Sequence, residues 1–104
     1  MKKVFICSPY RGNIENNINK VKYYCKDIFE QGYLPIAPHL YFPQFLDDDN
    51  DYERKSGILM GKELLSECDE IWVFGEQTEG MKEEIEFAKL KQKIIKYFKG
   101  EINV

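Results

Sequence analysis

The run Ile71-Trp72-Val73-Phe74 is apolar at every position, without the in-and-out alternation of a half-exposed strand. Such a run reads as a strand covered on both faces, the situation of a central strand in a parallel sheet. Parallel neighbours cannot be joined by tight hairpins, so helices must carry the crossovers. The rest of the chain supplies them, with predicted strands at 3–7, 33–37, 69–74 and 93–98 separated by helical patterns. In the first helix, opened by Asn13, the residues Ile14, Ile18, Val21, Cys25, Ile28 and Phe29 share a face, and Gly32 is placed to end it. The second, at 52–68, turns Ile58, Leu64 and Leu65 inward and is weakened by Gly57 and Gly61. Pro35 favours an edge position for the second strand, because proline cannot donate to a ladder. This alternating order predicts an α/β fold: a small doubly wound, Rossmann- or flavodoxin-like parallel sheet of order 2-1-3-4 with three helices and right-handed crossovers. Its switch point lies between the first and third strands, so residues 8–13 and 75–81 meet at one crevice.

The third helix carries an anomaly. Met81, Ile85 and Ala88 form its apolar face, and Glu84, three after Met81 and four before Ala88, points the same way. Glu86 instead falls between Lys82 and Lys89, where opposite charges pair on a solvated face. An inward carboxylate calls for a reason. Phe87 and Leu90, with Glu83, form a second stripe on this helix, read either as a contact between subunits or as extra core. Arg11, Gly12 and Asn13 read either as an anion-capturing turn before a helix or as a cap beside a solvated arginine. Tyr10 either covers a ligand or packs over the sheet edge, and His39 either touches substrate or satisfies local hydrogen bonds. The acidic stretch 47–51 fails as a calcium loop, since Tyr52 and Ile58 stand where glycine and glutamate are needed. It reads as a solvated loop over the crevice.

Bulk properties narrow the function classes. A chain of 104 residues with 43% hydrophobic content fits one domain spanning 1–104 with a real core. The net charge of −3, without a basic block, argues against a nucleic-acid binder. Cys7, Cys25 and Cys68 are odd in number and lack metal-type spacing, which favours reduced thiols in a cytoplasmic protein. With His39 the single histidine, no metal site is expected, and no cofactor is implied. No signal peptide or membrane-spanning run is expected either.

The stretch Phe5-Ile6-Cys7-Ser8-Pro9-Tyr10-Arg11-Gly12, the pair Pro38-His39, and Gly80-Met81 followed by Glu84 and Ala88 resemble the nucleoside 2-deoxyribosyltransferase-like superfamily, which includes the deoxynucleoside monophosphate N-glycosidases. The resemblance spans nearly the whole chain, on the side of the superfamily's short members. It implies that Glu84 attacks C1′ of a 2-deoxyribosyl group, forming a glycosyl ester that water or a second base resolves. It also implies that Ser8, Tyr10, Arg11, Gly12, His39, Thr78, Gly80 and Met81 contact a nucleoside or nucleotide. Thr78 stands where the monophosphate N-glycosidases carry a phosphate-contacting serine. Gly61 stands where the deoxyribosyltransferases carry an aspartate, so an acid for the departing base must come from Glu76, Glu79 or Asp69. Homo-oligomers, with sites that borrow residues from a neighbour, are common in the superfamily. The expected function is N-glycosidic cleavage or deoxyribosyl transfer, the alternative a non-catalytic nucleotide-binding module.

Overall fold

A computed structural model describes residues 1–99. The strands are β1 (Lys3–Cys7), β2 (Leu34–Ile36), β3 (Glu70–Phe74) and β4 (Ile94–Phe98), and the helices are α1 (Ile14–Glu30), α2 (Asp51–Ser66) and α3 (Glu79–Leu90). All pairings are parallel in the order β2-β1-β3-β4, as expected, with Phe5 opposite Ile71 and Ile71 opposite Ile95. Pro35 lies in β2, an edge strand, where its missing N–H costs no ladder bond.

The unbroken apolar character of β1 and β3 now has its cause. Val4, Ile6, Trp72 and Phe74 face α1, packing with Val21, Tyr24 and Ile28. Phe5, Cys7, Ile71 and Val73 face the other way, against Leu65 of α2 and Met81, Ile85 and Ala88 of α3. Each large side chain buried in these layers contributes about 1.5–3 kcal/mol relative to exposure.

Three residues expected on inward helix faces, Ile14, Phe29 and Ile58, are corrected. Ile14 and Phe29 point to solvent, and Tyr24 is buried in their place, stacked on Phe74 at 3.9 Å between ring centres. Ile14 sits in the first turn, and Phe29 is one residue, about 100° of helix, beyond the inward Ile28. In α2, Leu65 is buried and Leu64 packs on the core margin, but Ile58 is partly exposed and the inward residue between them is Gly61. The stripe on α3 divides: Phe87 packs against the core beneath Lys91, and Leu90 remains 81% exposed.

Turn chemistry agrees with the sequence. Gly32 follows α1 with φ +92°, a conformation that glycine adopts without penalty. Asn13 caps α1 by accepting the Asn16 N–H at 3.1 Å. One buried carboxylate was not anticipated. Glu70, at the start of β3, accepts the Trp72 indole N–H at 2.9 Å and lies 3.3 Å from the Lys96 ammonium. Both partners meet Oε1 and offset the cost of burying the carboxylate.

Candidate active site

The turn after β1, the segment from the end of β2 through α2, and the start of α3 line a cavity of about 400 Å³, within the range of small-molecule sites (about 300–1,000 Å³). It opens beyond the carboxyl ends of these strands, at the switch point. Ser8, Tyr10 and Arg11 enter from the turn after β1, and Thr78, Gly80, Met81 and Glu84 from the start of α3. His39 comes from a short 3-10 turn after β2. All the candidate contact residues except Gly12 are therefore brought together. Gly12 lies outside, in an exposed turn where its φ of +102° lets the chain enter α1.

Glu84 lies on the cavity wall, one turn into α3 and directly over Gly61 of α2. A Cβ at Gly61 would stand 3.8 Å from Glu84 Oε2. Gly61 thus lies against Glu84 and brings no acid to it. Burial pushes the Glu84 carboxyl up to about 7, opposed by a hydrogen bond from the Cys7 thiol and by Lys62, and reinforced by Glu83. Cys7 lies buried at the end of β1, its thiol also directed at the Met81 carbonyl at 3.8 Å. Burial and the Glu84 charge push that thiol far up, so it stays protonated as a donor.

The hydroxyls nearby are in contrasting states. Thr78 caps α3, its oxygen accepting the Met81 N–H at 3.3 Å while its own N–H is directed at the Met81 sulfur at 3.5 Å. The Ser8 hydroxyl is only 2% exposed and has no hydrogen-bond partner among the described residues. An orphaned buried hydroxyl on a cavity wall is a ready contact for a ligand or water. Opposite, Tyr10 and His39 pack ring against ring at 5.2 Å between centres. Burial lowers His39 to about 4, against the charge of Asp48, so it is neutral at pH 7. Burial, then Asp48, raises Tyr10.

The expected acids are dispersed. Asp69 lies at the opposite end of the sheet, accepting the Lys3 N–H at 2.8 Å. Glu76 lines a separate, smaller cavity beside Lys20 and Lys99. Glu79 does line the main cavity, but its side chain is 93% exposed and paired to Lys82 at 3.4 Å.

The segment between β2 and α2 forms a wall of the cavity, and its acidic end, read from sequence as a solvated loop over the crevice, contributes Asp48 to it. Phe42, Pro43 and Leu46 give it an apolar surface, continued by Ile58. Asp48 reaches across to Arg11, accepting from Nε with its carboxylate and from Nη2 with its carbonyl oxygen. Glu53 and Arg54 of α2 complete the charged lining. One signal for Glu53 was present: Asn50-Asp51-Tyr52-Glu53 is a capping-box pattern. Asn50 indeed accepts the Glu53 N–H at 3.0 Å, and Glu53 in turn accepts the Asp47 N–H at 3.0 Å. Gly57 and Gly61, which weaken α2 as a helix, both line the cavity and leave its wall open. Among the described residues, no group of three His, Cys, Asp or Glu side chains could hold a metal ion. None of the helices among the described residues is long and apolar enough to cross a membrane.

The sequence profile of a family described as a domain of unknown function (DUF7768) matches residues 2–98. A 2-deoxyribosyltransferase from the psychrotolerant bacterium Bacillus psychrosaccharolyticus has the same fold. It matches with a TM-score of 0.76 and 16% sequence identity, covering 98% of this chain and 77% of that one. No curated protein matches the chain.

Proposed function

This chain belongs to the DUF7768 family, and we propose that it cleaves the N-glycosidic bond of a 2-deoxynucleoside or its 5′-monophosphate with Glu84 as the nucleophile. The observation that carries this reading is a half-buried, inward-facing glutamate on the wall of a nucleoside-sized cavity that also holds an unpartnered buried serine hydroxyl. A likeness of fold to a 2-deoxyribosyltransferase supports it. The base lies against the apolar wall of Phe42, Pro43, Leu46 and Ile58, and the sugar turns its C1′ toward Glu84. The ionised carboxylate attacks C1′ as the bond to the base nitrogen breaks, leaving a glycosyl ester. The electron pair of that bond departs with the base, which takes a proton from solvent or from a wall carboxyl group. Asp48, Glu53 and Glu79 are the other carboxyls of the lining. Water then attacks C1′, breaking the ester bond and returning a proton to solvent or to the group that supplied one, which restores the carboxylate and releases 2-deoxyribose or its 5-phosphate. Attack by a second base, with loss of its proton, completes a transfer.

A second reading has its own observation. Asp48 is held by Arg11, Glu53 by the Asp47 N–H and Glu79 by Lys82, so each further wall carboxylate is engaged elsewhere. A nucleotide-binding module without turnover fits that arrangement. Incubation with a panel of deoxynucleosides and their 5′-monophosphates, followed by chromatography for free base, separates the two. Base release is expected, and Glu84→Gln is expected to reduce it by at least about a thousandfold with the fold intact. Release at the original rate in that variant would remove Glu84 from the chemistry. Binding without release selects the module.

A further inference from the structure

A 2-deoxynucleoside and its 5′-monophosphate differ by about −1.5 to −2 charges at pH 7. The charged groups on the cavity wall bear on this directly. Apart from Glu84, the lining holds Asp48, Glu53 and Glu79 against two guanidinium groups, Arg11 and Arg54. Neither guanidinium is free. Arg54 Nη2 donates to Asp51 at 2.8 Å. Arg11 spends Nε on the Asp48 carboxylate and Nη2 on the Asp48 carbonyl, at 3.0 Å for the latter. A guanidinium is the natural bidentate partner for a phosphate, and here a carboxylate of the same chain occupies it.

We propose that Asp48 sets the charge preference of the cavity: holding Arg11 as an internal stand-in for phosphate, it selects an uncharged nucleoside over the matching 5′-monophosphate. The inference rests on reading the cavity as a nucleoside site. The Arg11–Asp48 pair is partly exposed, with both side chains about half open to solvent, so as an ion pair it adds little to stability. Its effect on selectivity comes from where Asp48 is tethered. Asp47, its neighbour, donates its N–H to Glu53 of α2, and Asp49 donates its N–H back to the Asp47 side chain at 3.0 Å. A phosphate arriving at Arg11 would displace the Asp48 carboxylate but not its backbone. Two anions would then share one guanidinium, the phosphate alone carrying about −1.5 to −2 charges at pH 7. Like charges brought together in this way penalise the wrong ligand without improving the right one. An uncharged 5′-hydroxyl meets no such penalty.

Protein-observed NMR titrations with matched pairs of deoxynucleosides and their 5′-monophosphates, for each common base, test this on the full chain. The nucleoside is expected to bind at least about tenfold more tightly than its monophosphate. Asp48→Asn, which keeps the shape and removes the charge, should narrow that ratio by about tenfold. Adding Arg11→Gln to Asp48→Asn should reverse the gain, because the freed guanidinium is then gone. Raising the ionic strength on the unaltered protein should also narrow the ratio, since the repulsion at this half-exposed mouth is screened. A preference for monophosphate, or a ratio unmoved by both Asp48→Asn and salt, overturns the role of Asp48 and leaves the nucleoside reading standing. Binding of neither ligand overturns that reading and this inference with it.

Discussion

Glu84 keeps its proton to about pH 7 because the protein around it replaces the water that would stabilise its charge. Two consequences follow, with opposite signs. A nucleophile must be ionised, so kcat/KM for base release should rise with pH and level off above about 7, read as a single acidic limb in the pH–rate profile. Stability should move the other way. The unfolded chain releases this proton near the ordinary value of 4.5, whereas the folded chain holds it to about 7. The folded state therefore binds the extra proton between those values, and stability is lost as pH rises through that window. Glu84→Gln should match the parent in urea midpoint below pH 4.5 and exceed it above pH 7. The difference should be on the order of 1–3 kcal/mol. Glu70 is the contrasting case. It is more deeply buried, but the Trp72 indole and Lys96 engage it, and it does not line the cavity. Inward position alone thus does not mark a site.

The helix α2 shows how an element gives up stability to shape a site. Gly57 and Gly61 lie four residues apart on one side of it, facing the cavity. In a helix interior each costs roughly 0.5–1 kcal/mol relative to alanine. At Gly61 the space is adequate for a methyl group, with Glu84 Oε2 in ordinary contact at 3.8 Å. Gly61→Ala should therefore raise the thermal midpoint by several degrees, corresponding to about 0.5–1 kcal/mol. The same methyl group narrows the floor beneath Glu84, so ligand affinity should fall. A melting curve and a titration on one sample check both outcomes. A variant that binds as tightly as the parent would mean that Gly61 does not shape the ligand's space. From sequence these glycines read as weak points in a helix, since propensity describes an isolated segment and says nothing of what packs against it.

In the molecule as a whole, two apolar layers share one sheet. Trp72 belongs to the layer under α1, and Cys7 and Cys68 belong to the layer under α2 and α3. Because β1 and β3 contribute to both, neither layer can open without disturbing the other. Trp72 fluorescence and the reactivity of Cys7 and Cys68 toward a thiol reagent should then change at the same urea concentration, as one cooperative transition. Separate midpoints would show that the layers open independently. The parallel sheet, its strand order and the crevice between β1 and β3 were legible in the sequence. Periodicity reports how many faces of an element are buried, and connectivity with fixed handedness leaves few ways to arrange the elements. The phase of α3 brought Glu84 into view for the same reason. Local patterns did not reveal the far wall of the cavity. Arg11 and Asp48 are 37 residues apart in the chain, and no periodicity links them. Their pairing depends on how the segment after β2 folds back over the sheet. Nor could spacing tell that Gly12 turns away, that Asp69 lies at the other end of the strands, or that Glu84 is held near neutrality. Desolvation and ion pairing are properties of what surrounds a group in space, and only the assembled chain supplies those surroundings.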